Sequence, residues 1–195
     1  MSPFPARIVI ATRNLHKIEE ISRIAADWPT ELVEDPAPLE VEETGRTYLD
    51  NALLKARAVA SARGMPALAD DSGIEVDALG GAPGPRSARY AGEGAADEDN
   101  LRALLRAVAG VPAGGRTARY RAVAVVAWPD GAEVHTEGVC EGVLTTGPRG
   151  EGGFGYDPIF EPAGWDRTMA QLEPEEKDRI SHRGRAIRGL AEALR

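Results

Sequence analysis

The chain has 195 residues and is 43% hydrophobic and 28% charged, which is typical of a soluble globular protein. This length predicts a single domain, residues 1–195, arranged as two lobes. The net charge of −8 makes bulk attraction to nucleic acid unfavourable, so a phosphate ligand would need local cations or a metal. The single cysteine, Cys140, excludes an internal disulfide. The sequence also has no signal-peptide pattern and no apolar run of membrane length, and together these features predict a cytoplasmic protein that does not span a membrane.

Lysine is scarce among the basic residues. Of 23 lysines and arginines, only three are lysines: Lys17, Lys55 and Lys177. A lysine that remains in such a chain is predicted at a position where a planar guanidinium cannot replace a compact ammonium. Chance placement is the alternative, because three residues are a small sample.

The first two predicted elements are a strand and a helix. Residues 7–12 are rich in β-branched side chains and contain no turn former, which predicts a buried strand. Apolar residues then recur at helical spacing, at Ile18, Ile21, Ala25 and Trp28. The turn between them carries Thr12, Asn14 and Lys17 at the start of the helix, where free backbone N–H groups attract anions. An ordinary capped helix explains the same residues equally well.

A short strand and a long helix follow. The strand is predicted at residues 31–34 and the helix at residues 47–63, ended by Gly64. Asn51 and Lys55 lie four residues apart and therefore share one face of this helix.

Two adjacent aspartates follow the next apolar run. Residues 65–69 predict a strand that ends in Asp70 and Asp71, with Ser72 and a turn at Gly73 after it. Because consecutive strand side chains point to opposite faces, the two aspartates are predicted to have different roles. A carboxylate pair at a strand end is typical of a magnesium site, and equally of a solvated turn.

The acidic loop at residues 40–43 lies on the other side of the long helix from the aspartates. Glu42 or Glu43 could therefore complete a metal site with them. Acidic loops are more often simply solvated, and the pattern alone leaves both interpretations open.

The C-terminal half continues the alternation of strands and helices. The patterns predict a strand at residues 74–76 and a helix at residues 97–108. They then predict a hairpin whose two strands are residues 117–128 and 132–144. A glycine-rich loop at residues 147–155 is either a plain surface loop or, with its aromatic residues, a platform on which a nucleobase stacks.

Two helices are predicted near the C-terminus. The first is short and opens at Pro174, and the second is capped by Ser181. His182 and Arg183 fall in the first turn of the second helix, where the helix dipole disfavours cations. Basic residues placed there indicate an anionic or acceptor-rich ligand nearby.

Seven segments in unbroken order carry a resemblance to a known family: ATRNLHK, EETG, NALLKA, ADDSG, GGAPGPRSARYAG, GGFGYDPIF and EEKDRISHRGRA. Together they resemble the inosine triphosphate pyrophosphatase family. The resemblance implies hydrolysis of the non-standard purine nucleoside triphosphates ITP, dITP and XTP to the monophosphate and pyrophosphate. It also implies an α/β fold with an elongated mixed central sheet and flanking helices, two lobes with the active site in the cleft between them, and a homodimer.

The resemblance also assigns roles to residues by their position. It implies a Mg²⁺ site at Glu42 and Asp71, with Asp71 also the general base. It implies triphosphate contacts at Thr12, Asn14, Lys17 and Lys55, and contacts to the rest of the nucleotide at Ser72, Phe154, Gly155, Tyr156, Asp157, Lys177, His182 and Arg183. Arg13 stands where the family often has glycine, and could crowd the triphosphate or add a contact.

The implied chemistry is attack of water on the triphosphate. Magnesium offsets the phosphate charge, Asp71 takes a proton from the water, and Lys17 and Lys55 stabilise the leaving pyrophosphate. Arg183 has donors only, so it would pair with N7 and O6 of hypoxanthine or xanthine and leave the amino group of adenine unmatched. Two alternatives remain, a related pyrophosphatase for modified pyrimidine triphosphates and a nucleotide-binding module that does not hydrolyse.

Overall fold

The computed structural model describes residues 4–195, and the predicted domain of residues 1–195 includes residues 1–3, which lie outside them. The described strands are β1 (Arg7–Ile10), β2 (Glu31–Glu34), β3 (Ala67–Val76), β4 (Thr117–Ala127), β5 (Glu133–Leu144) and β6 (Phe160–Pro162). The described α-helices are α1 (Leu15–Ile24), α2 (Tyr48–Arg63), α3 (Asp97–Ala107), α4 (Pro174–Ile180) and α5 (His182–Ala193). Short 3₁₀ turns occupy Asp77–Leu79, Gly84–Arg89, Ala113–Gly115, Asp157–Ile159 and Met169–Gln171.

The strands form one mixed sheet in the order β2-β1-β3-β4-β5-β6. β1 pairs in parallel with both β2 and β3, whereas β5 and β6 are antiparallel. The predicted mixed α/β fold with a central sheet and flanking helices is therefore confirmed. No helix within residues 4–195 has the length and apolar character needed to cross a membrane.

The chain folds into two compact units. Of the described residues, the first unit comprises 4–71 together with Ala122–Gly138 and His182–Arg195, and the second comprises Ser72–Arg121 and Val139–Ser181. One boundary falls inside β3, between Asp71 and Ser72.

Side-chain alternation along the strands gives the first unit two cores, one on each face of its sheet. Ile8 and Ile10 of β1 pack in a core with residues of α1 and α5, whereas Val9 and Ala11 pack in a core with residues of α2. The same division holds in β3, where Leu68 belongs to the first core and its neighbours to the second. Alternate residues of these strands therefore pack against different helices, because successive side chains point to opposite faces of the sheet.

The second unit has a core of its own. It gathers buried side chains from β3, α3, β4 and β5 and from the segments that follow β5. Tyr120 and Phe160 meet in it edge to face, with their ring centroids 4.8 Å apart. β6, which supplies Phe160, was not predicted, because three residues are too short to show a strand period.

The helix signals in the sequence are matched closely at α2. Thr47 caps it, and the Thr47 and Asp50 side chains form a reciprocal capping box with the backbone. Gly64 ends it at φ 63°, a left-handed conformation that glycine adopts without steric cost.

The prediction of a strand at residues 65–69 was wrong about where the strand ends. β3 runs without interruption through both aspartates as far as Val76, and Gly73 is buried within it without a positive φ. Asp70 and Asp71 are 1% and 5% exposed, so the solvated turn is excluded. The prediction failed because paired carboxylates were treated as a strand terminator, whereas here side chains from neighbouring helices neutralise them.

The close approach of α5 to β5 depends on a glycine. A Cβ added at Gly138 would lie 2.1 Å from the carbonyl oxygen of His182 and 2.6 Å from the amide nitrogen of Ala186. Beside it, the Thr136 hydroxyl donates to the carbonyl oxygen of Ala186 at 2.6 Å.

We expect Gly138→Ala to lower the free energy of unfolding by about 2–3 kcal/mol, because both obstructing atoms belong to the backbone and cannot turn aside. Unfolding in urea measures this change. Gly110→Ala is the matched control, since a Cβ there meets no atom within 4 Å. Equal stability of the two variants would contradict the packing described here.

Candidate active site

Asp70 and Asp71 point to opposite faces of the sheet. Leu68 packs with α1 and α5, so Asp70, two residues on, faces the same helices, and Asp71 follows Ala69 towards α2. Ion pairs reflect this division, because Asp70 contacts Lys17 of α1 and Asp71 contacts a lysine of α2. The two carboxylates therefore have separate partners, as the strand geometry predicts.

Asp70 lies in a buried cluster of two carboxylates and two cations. Nε and Nη2 of Arg183 donate to Oδ2 of Asp70 at 3.0 and 2.9 Å. The Lys17 ammonium lies 3.2 Å from Oδ1 of the same carboxylate. Nη1 of Arg183 donates at 2.5 Å to Oε2 of Glu20, a residue of α1 that is 5% exposed. All four groups belong to the first unit.

Burial and ion pairing act against each other in this cluster. Burial raises the pKa of Asp70, but the charges of Arg183 and Lys17 outweigh that effect and hold the pKa well below its usual range. Burial also lowers the pKa of Lys17, and here the attraction of Asp70 does not fully compensate. The Lys17 ammonium is consequently a cation that a further anion would stabilise.

Asp71 faces α2 and is held there by two side chains. Asn51 donates through Nδ2 to Oδ2 of Asp71 at 3.1 Å, and the Lys55 ammonium lies 3.4 Å from Oδ1. Burial raises the pKa of Asp71 more than Lys55 and Lys17 lower it. The pKa of Lys55 is raised, because the attraction of Asp71 and Glu43 outweighs the opposing effect of burial.

The acidic loop reaches this face through Glu43. Oε1 of Glu43 lies 2.7 Å from the Lys55 ammonium, whereas the side chain of Glu42 is exposed. Two carboxylates thus converge on one cation, and their oxygens are the hard donors that Mg²⁺ prefers. Among residues 4–195, no three side chains of His, Cys, Asp or Glu are grouped as a ready-made metal site. Asp71 and the acidic loop fit a cation whose remaining ligands are water and phosphate.

The turn that precedes α1 is capped by its own side chains. Oδ1 of Asn14 accepts from the amide of Lys17 at 3.3 Å, and the Thr12 hydroxyl oxygen accepts from the amide of Asn14 at 3.2 Å. Arg13 is exposed and lies 3.3 Å from Oε1 of Glu40. Thr12, Arg13 and Glu40 also line a groove of about 470 Å³ in the first unit. Anion binding at this turn stays a prediction.

The loop at Phe154–Asp157 is organised around one carboxylate in the second unit. Oδ2 of Asp157 lies 2.6 Å from the Lys177 ammonium and accepts from the amide of Phe154 at 3.0 Å. Oδ1 accepts from the Tyr120 hydroxyl at 3.2 Å. The Lys177 ammonium lies 5.1 Å from the centre of the Phe154 ring, a cation–π distance.

Other contacts fix the backbone of the same loop. The Tyr156 hydroxyl donates to the carbonyl oxygen of Ser87 at 2.7 Å, and burial raises the pKa of that hydroxyl. The Gly155 amide donates to Oδ2 of Asp97 at 3.0 Å. Gly153 has φ 68°, and a Cβ there would lie 2.2 Å from Oδ2 of Asp157. Residues 154–157 are therefore built into the unit, whereas residues 148–153 are exposed, and the stacking of a nucleobase on this loop stays a prediction.

Three predicted nucleotide contacts lie elsewhere in the chain. Ser72 is half-buried in β3, and His182 is 4% exposed at the start of α5. Arg183 is 1% exposed, and each of its three guanidinium nitrogens already donates to a carboxylate. Its role in distinguishing purine bases stays a prediction.

The profile of the Ham1 family matches residues 8–193. The chain belongs to the Ham1 family. It is 50% identical to the dITP/XTP pyrophosphatase of Streptomyces coelicolor, over 97% of each chain. It is 51% identical to the dITP/XTP pyrophosphatase of Symbiobacterium thermophilum, over 96% of this chain and 94% of that relative. The resemblance to a family of non-standard purine triphosphate pyrophosphatases, drawn from seven short segments, is therefore confirmed.

Solved structures of Ham1 proteins share the fold. The HAM1 protein from Coxiella burnetii superposes with a TM-score of 0.88 at 39% identity, covering 97% of this chain and 98% of that one. The Ham1 protein of Staphylococcus aureus gives a TM-score of 0.84 at 42% identity, covering 96% and 97%.

Sequence reasoning missed two residues of this Ham1 chain that contact the predicted site. Glu20 resembles a solvated glutamate because it follows another, and only its position between Ile18 and Ile21 on the buried side of α1 could have revealed it. Asn51 was noted for its spacing from Lys55, but it was not assigned to the site. Its side chain is completely buried, donating to Asp71 and accepting from the Gly45 amide at 2.8 Å.

We expect Asp157→Asn to reduce the free energy of unfolding by about 3 kcal/mol, because it removes the carboxylate from a lysine that is 5% exposed. Urea unfolding provides the measurement. Tyr120→Phe is the control, which removes only the neutral hydroxyl on the other oxygen and should cost about 1 kcal/mol. If Asp157→Asn costs no more than Tyr120→Phe, the ion pair does not hold the loop.

Proposed function

We propose that this chain hydrolyses ITP, dITP and XTP to the corresponding monophosphate and pyrophosphate. The relatives that share about half of its residues are named dITP/XTP pyrophosphatase. The observation that carries the proposal is the pairing of two adjacent buried aspartates with two lysines, Lys17 with Asp70 and Lys55 with Asp71. In an acidic chain these ammonium groups supply the local positive charge that a triphosphate requires.

The triphosphate is assigned to Lys17, Lys55 and the turn before α1. Burial lowers the pKa of Lys17, so an incoming phosphate would offset a charge that the protein only partly neutralises. Thr12 and Asn14 place polar atoms at the start of the same helix, where the dipole favours anions. Arg13 is next to them and is held outward by Glu40, so exchange of this surface pair for a phosphate contact costs little.

A divalent ion is assigned to Asp71 together with Glu42 or Glu43. Mg²⁺ bound there would neutralise charge on the triphosphate and polarise its phosphorus centre. The contact between Glu43 and Lys55 favours Glu43 as the nearer donor, whereas the family resemblance favours Glu42.

Asp71 is assigned the role of general base. Burial raises its pKa above that of an ordinary aspartate, which improves proton uptake from water. Asn51 holds Oδ2 by donating to it, which fixes the orientation of the carboxylate. Lys55 next to the same carboxylate, with Lys17, is placed to stabilise charge that develops on the leaving pyrophosphate.

The purine base of the nucleotide is assigned to the loop Phe154–Asp157. Phe154 offers a ring for stacking, and Lys177 lies over that ring as a donor for an acceptor such as O6. Asp157 acts through its support of both groups. Gly155, Tyr156, Ser72, His182 and Arg183 complete the set implied by the resemblance. A homodimer and a cytoplasmic location stay predictions.

With Mg²⁺ present, we expect ITP, dITP and XTP to release pyrophosphate and not orthophosphate. ATP and modified pyrimidine triphosphates should react at least about a hundredfold more slowly, because buried donors of the base site would be left unpaired. A panel of these nucleotides, assayed for both phosphate products, measures the preference. Faster turnover of a pyrimidine triphosphate would assign the chain to a different substrate class, and nucleotide binding without product would identify a module that does not hydrolyse.

Asp71→Asn should reduce kcat by about 10²–10⁴-fold, because the amide has the same shape but cannot accept a proton. Binding of ITP, followed by calorimetry, should remain measurable. Asp130→Asn, at an exposed turn between β4 and β5, is the control and should leave the rate unchanged. A rate near normal for Asp71→Asn would remove this residue from the chemistry.

A further inference from the structure

We propose that Glu20 is a positioning residue, which sets the place of the Lys17 ammonium through Arg183 and Asp70. The inference rests on the proposed function, because it takes Lys17 as a triphosphate contact. It goes further by assigning a role to a carboxylate that the proposed function does not use.

The burial of Glu20 requires a reason. It is 5% exposed on α1, between the buried residues Ile18 and Ile21, whereas its neighbour Glu19 is exposed. Moving a carboxylate out of water costs several kcal/mol unless a cation and hydrogen bonds replace the solvent. An alanine or leucine at this position would serve the core of an amphipathic helix at no such cost.

Glu20 accepts from the guanidinium of Arg183, which is also held by Asp70. Nη1 of Arg183 donates to Glu20, while Nε and Nη2 both donate to a single oxygen of Asp70, Oδ2. A guanidinium is planar and its donors are rigidly arranged, so holding Nη1 limits how the other two nitrogens can turn. Glu20 therefore restricts the orientation in which Arg183 meets Asp70.

The same restriction extends to Lys17. Because Arg183 occupies Oδ2 of Asp70, the other oxygen is left for the Lys17 ammonium, at 3.2 Å. The ammonium also donates to the carbonyl oxygen of Asp70 at 3.5 Å. Lysine has a long flexible side chain, so this ion pair and this hydrogen bond determine where its charge lies. Lys17 and Glu20 are one turn apart on α1, so the series of contacts from Glu20 through Arg183 and Asp70 to Lys17 begins and ends on the same helix.

Charge balance supports the same role. In the ion pairs described above, two carboxylates, Asp70 and Glu20, meet two cations, Lys17 and Arg183. Arg183 repels Lys17 and contributes to its lowered pKa. Without the charge of Glu20, the guanidinium would draw more strongly on Asp70, which is the acceptor that Lys17 needs.

The experiment compares Glu20→Gln with Glu19→Gln in ITP hydrolysis. The glutamine keeps the shape and one acceptor of Glu20 and removes only its charge, so this variant should fold. We expect kcat/KM to fall about 10- to 100-fold in Glu20→Gln and to be unchanged in Glu19→Gln. Glu20→Asp, which restores the charge on a shorter side chain, should recover part of the loss.

The decisive measurement repeats Glu20→Gln in a Lys17→Ala background. If Glu20 acts through Lys17, the second substitution should change kcat/KM less than about twofold once the lysine is absent. A loss of the same size in both backgrounds would show a merely structural role and overturn the proposal. Native activity of Glu20→Gln would overturn it as well.

A substrate-free measurement separates this inference from the proposed function. The chain has three lysines, so protein labelled with ¹³C at lysine Cε gives three assignable NMR signals. Glu20→Gln should shift the Lys17 signal and leave that of Lys177, in the second unit, unchanged. An unmoved Lys17 signal overturns the proposal whatever the activity, whereas a shifted signal in a protein that hydrolyses no nucleotide would refute the proposed function alone.

Discussion

The burial of two adjacent carboxylates in one strand is the constraint on which the rest of the first unit depends. Neither Asp70 nor Asp71 could stay ionised there without partners, because an unpaired buried charge costs several kcal/mol. The strand sends the two side chains to opposite faces, so each carboxylate has its own contacting lysine. Helices on both sides of the sheet must therefore each bring a lysine to β3, and the pair of sites follows from this requirement.

The two sites differ in what the partners do to the carboxylate. Asp70 is surrounded by Lys17 and Arg183, which hold its pKa far below the usual range, so it serves as a permanent anion. Among residues 4–195, the cation in contact with Asp71 is Lys55, an amide donates to its other oxygen, and burial raises its pKa. A fixed anion suits the support of a lysine, and a carboxylate of raised pKa suits proton transfer. The difference between two neighbouring aspartates thus comes from their helices and not from the strand.

The three lysines of the chain occupy similar environments in the structure. Lys17, Lys55 and Lys177 are all largely buried, and each lies within 3.4 Å of an aspartate oxygen. A guanidinium is larger and planar, so an arginine at these positions would have to contact the carboxylates in a different geometry. The second unit repeats the principle, since the ion pair of Lys177 with Asp157 holds the aromatic loop. Gly153 lies so close to that carboxylate that no side chain could be accommodated.

The sequence by itself determined the local elements and the family. The end of α2 at Gly64, the β-branched run of β1 and the seven segments depend on neighbouring residues, so they can be recognised without coordinates. Only the tertiary structure decided that β3 continues through the aspartates and that Glu43 meets Lys55. It also decided that Glu20 and Arg183, 163 positions apart, share a buried ion pair. Such pairings form between faces of distant elements, and sequence spacing carries no information about which faces meet.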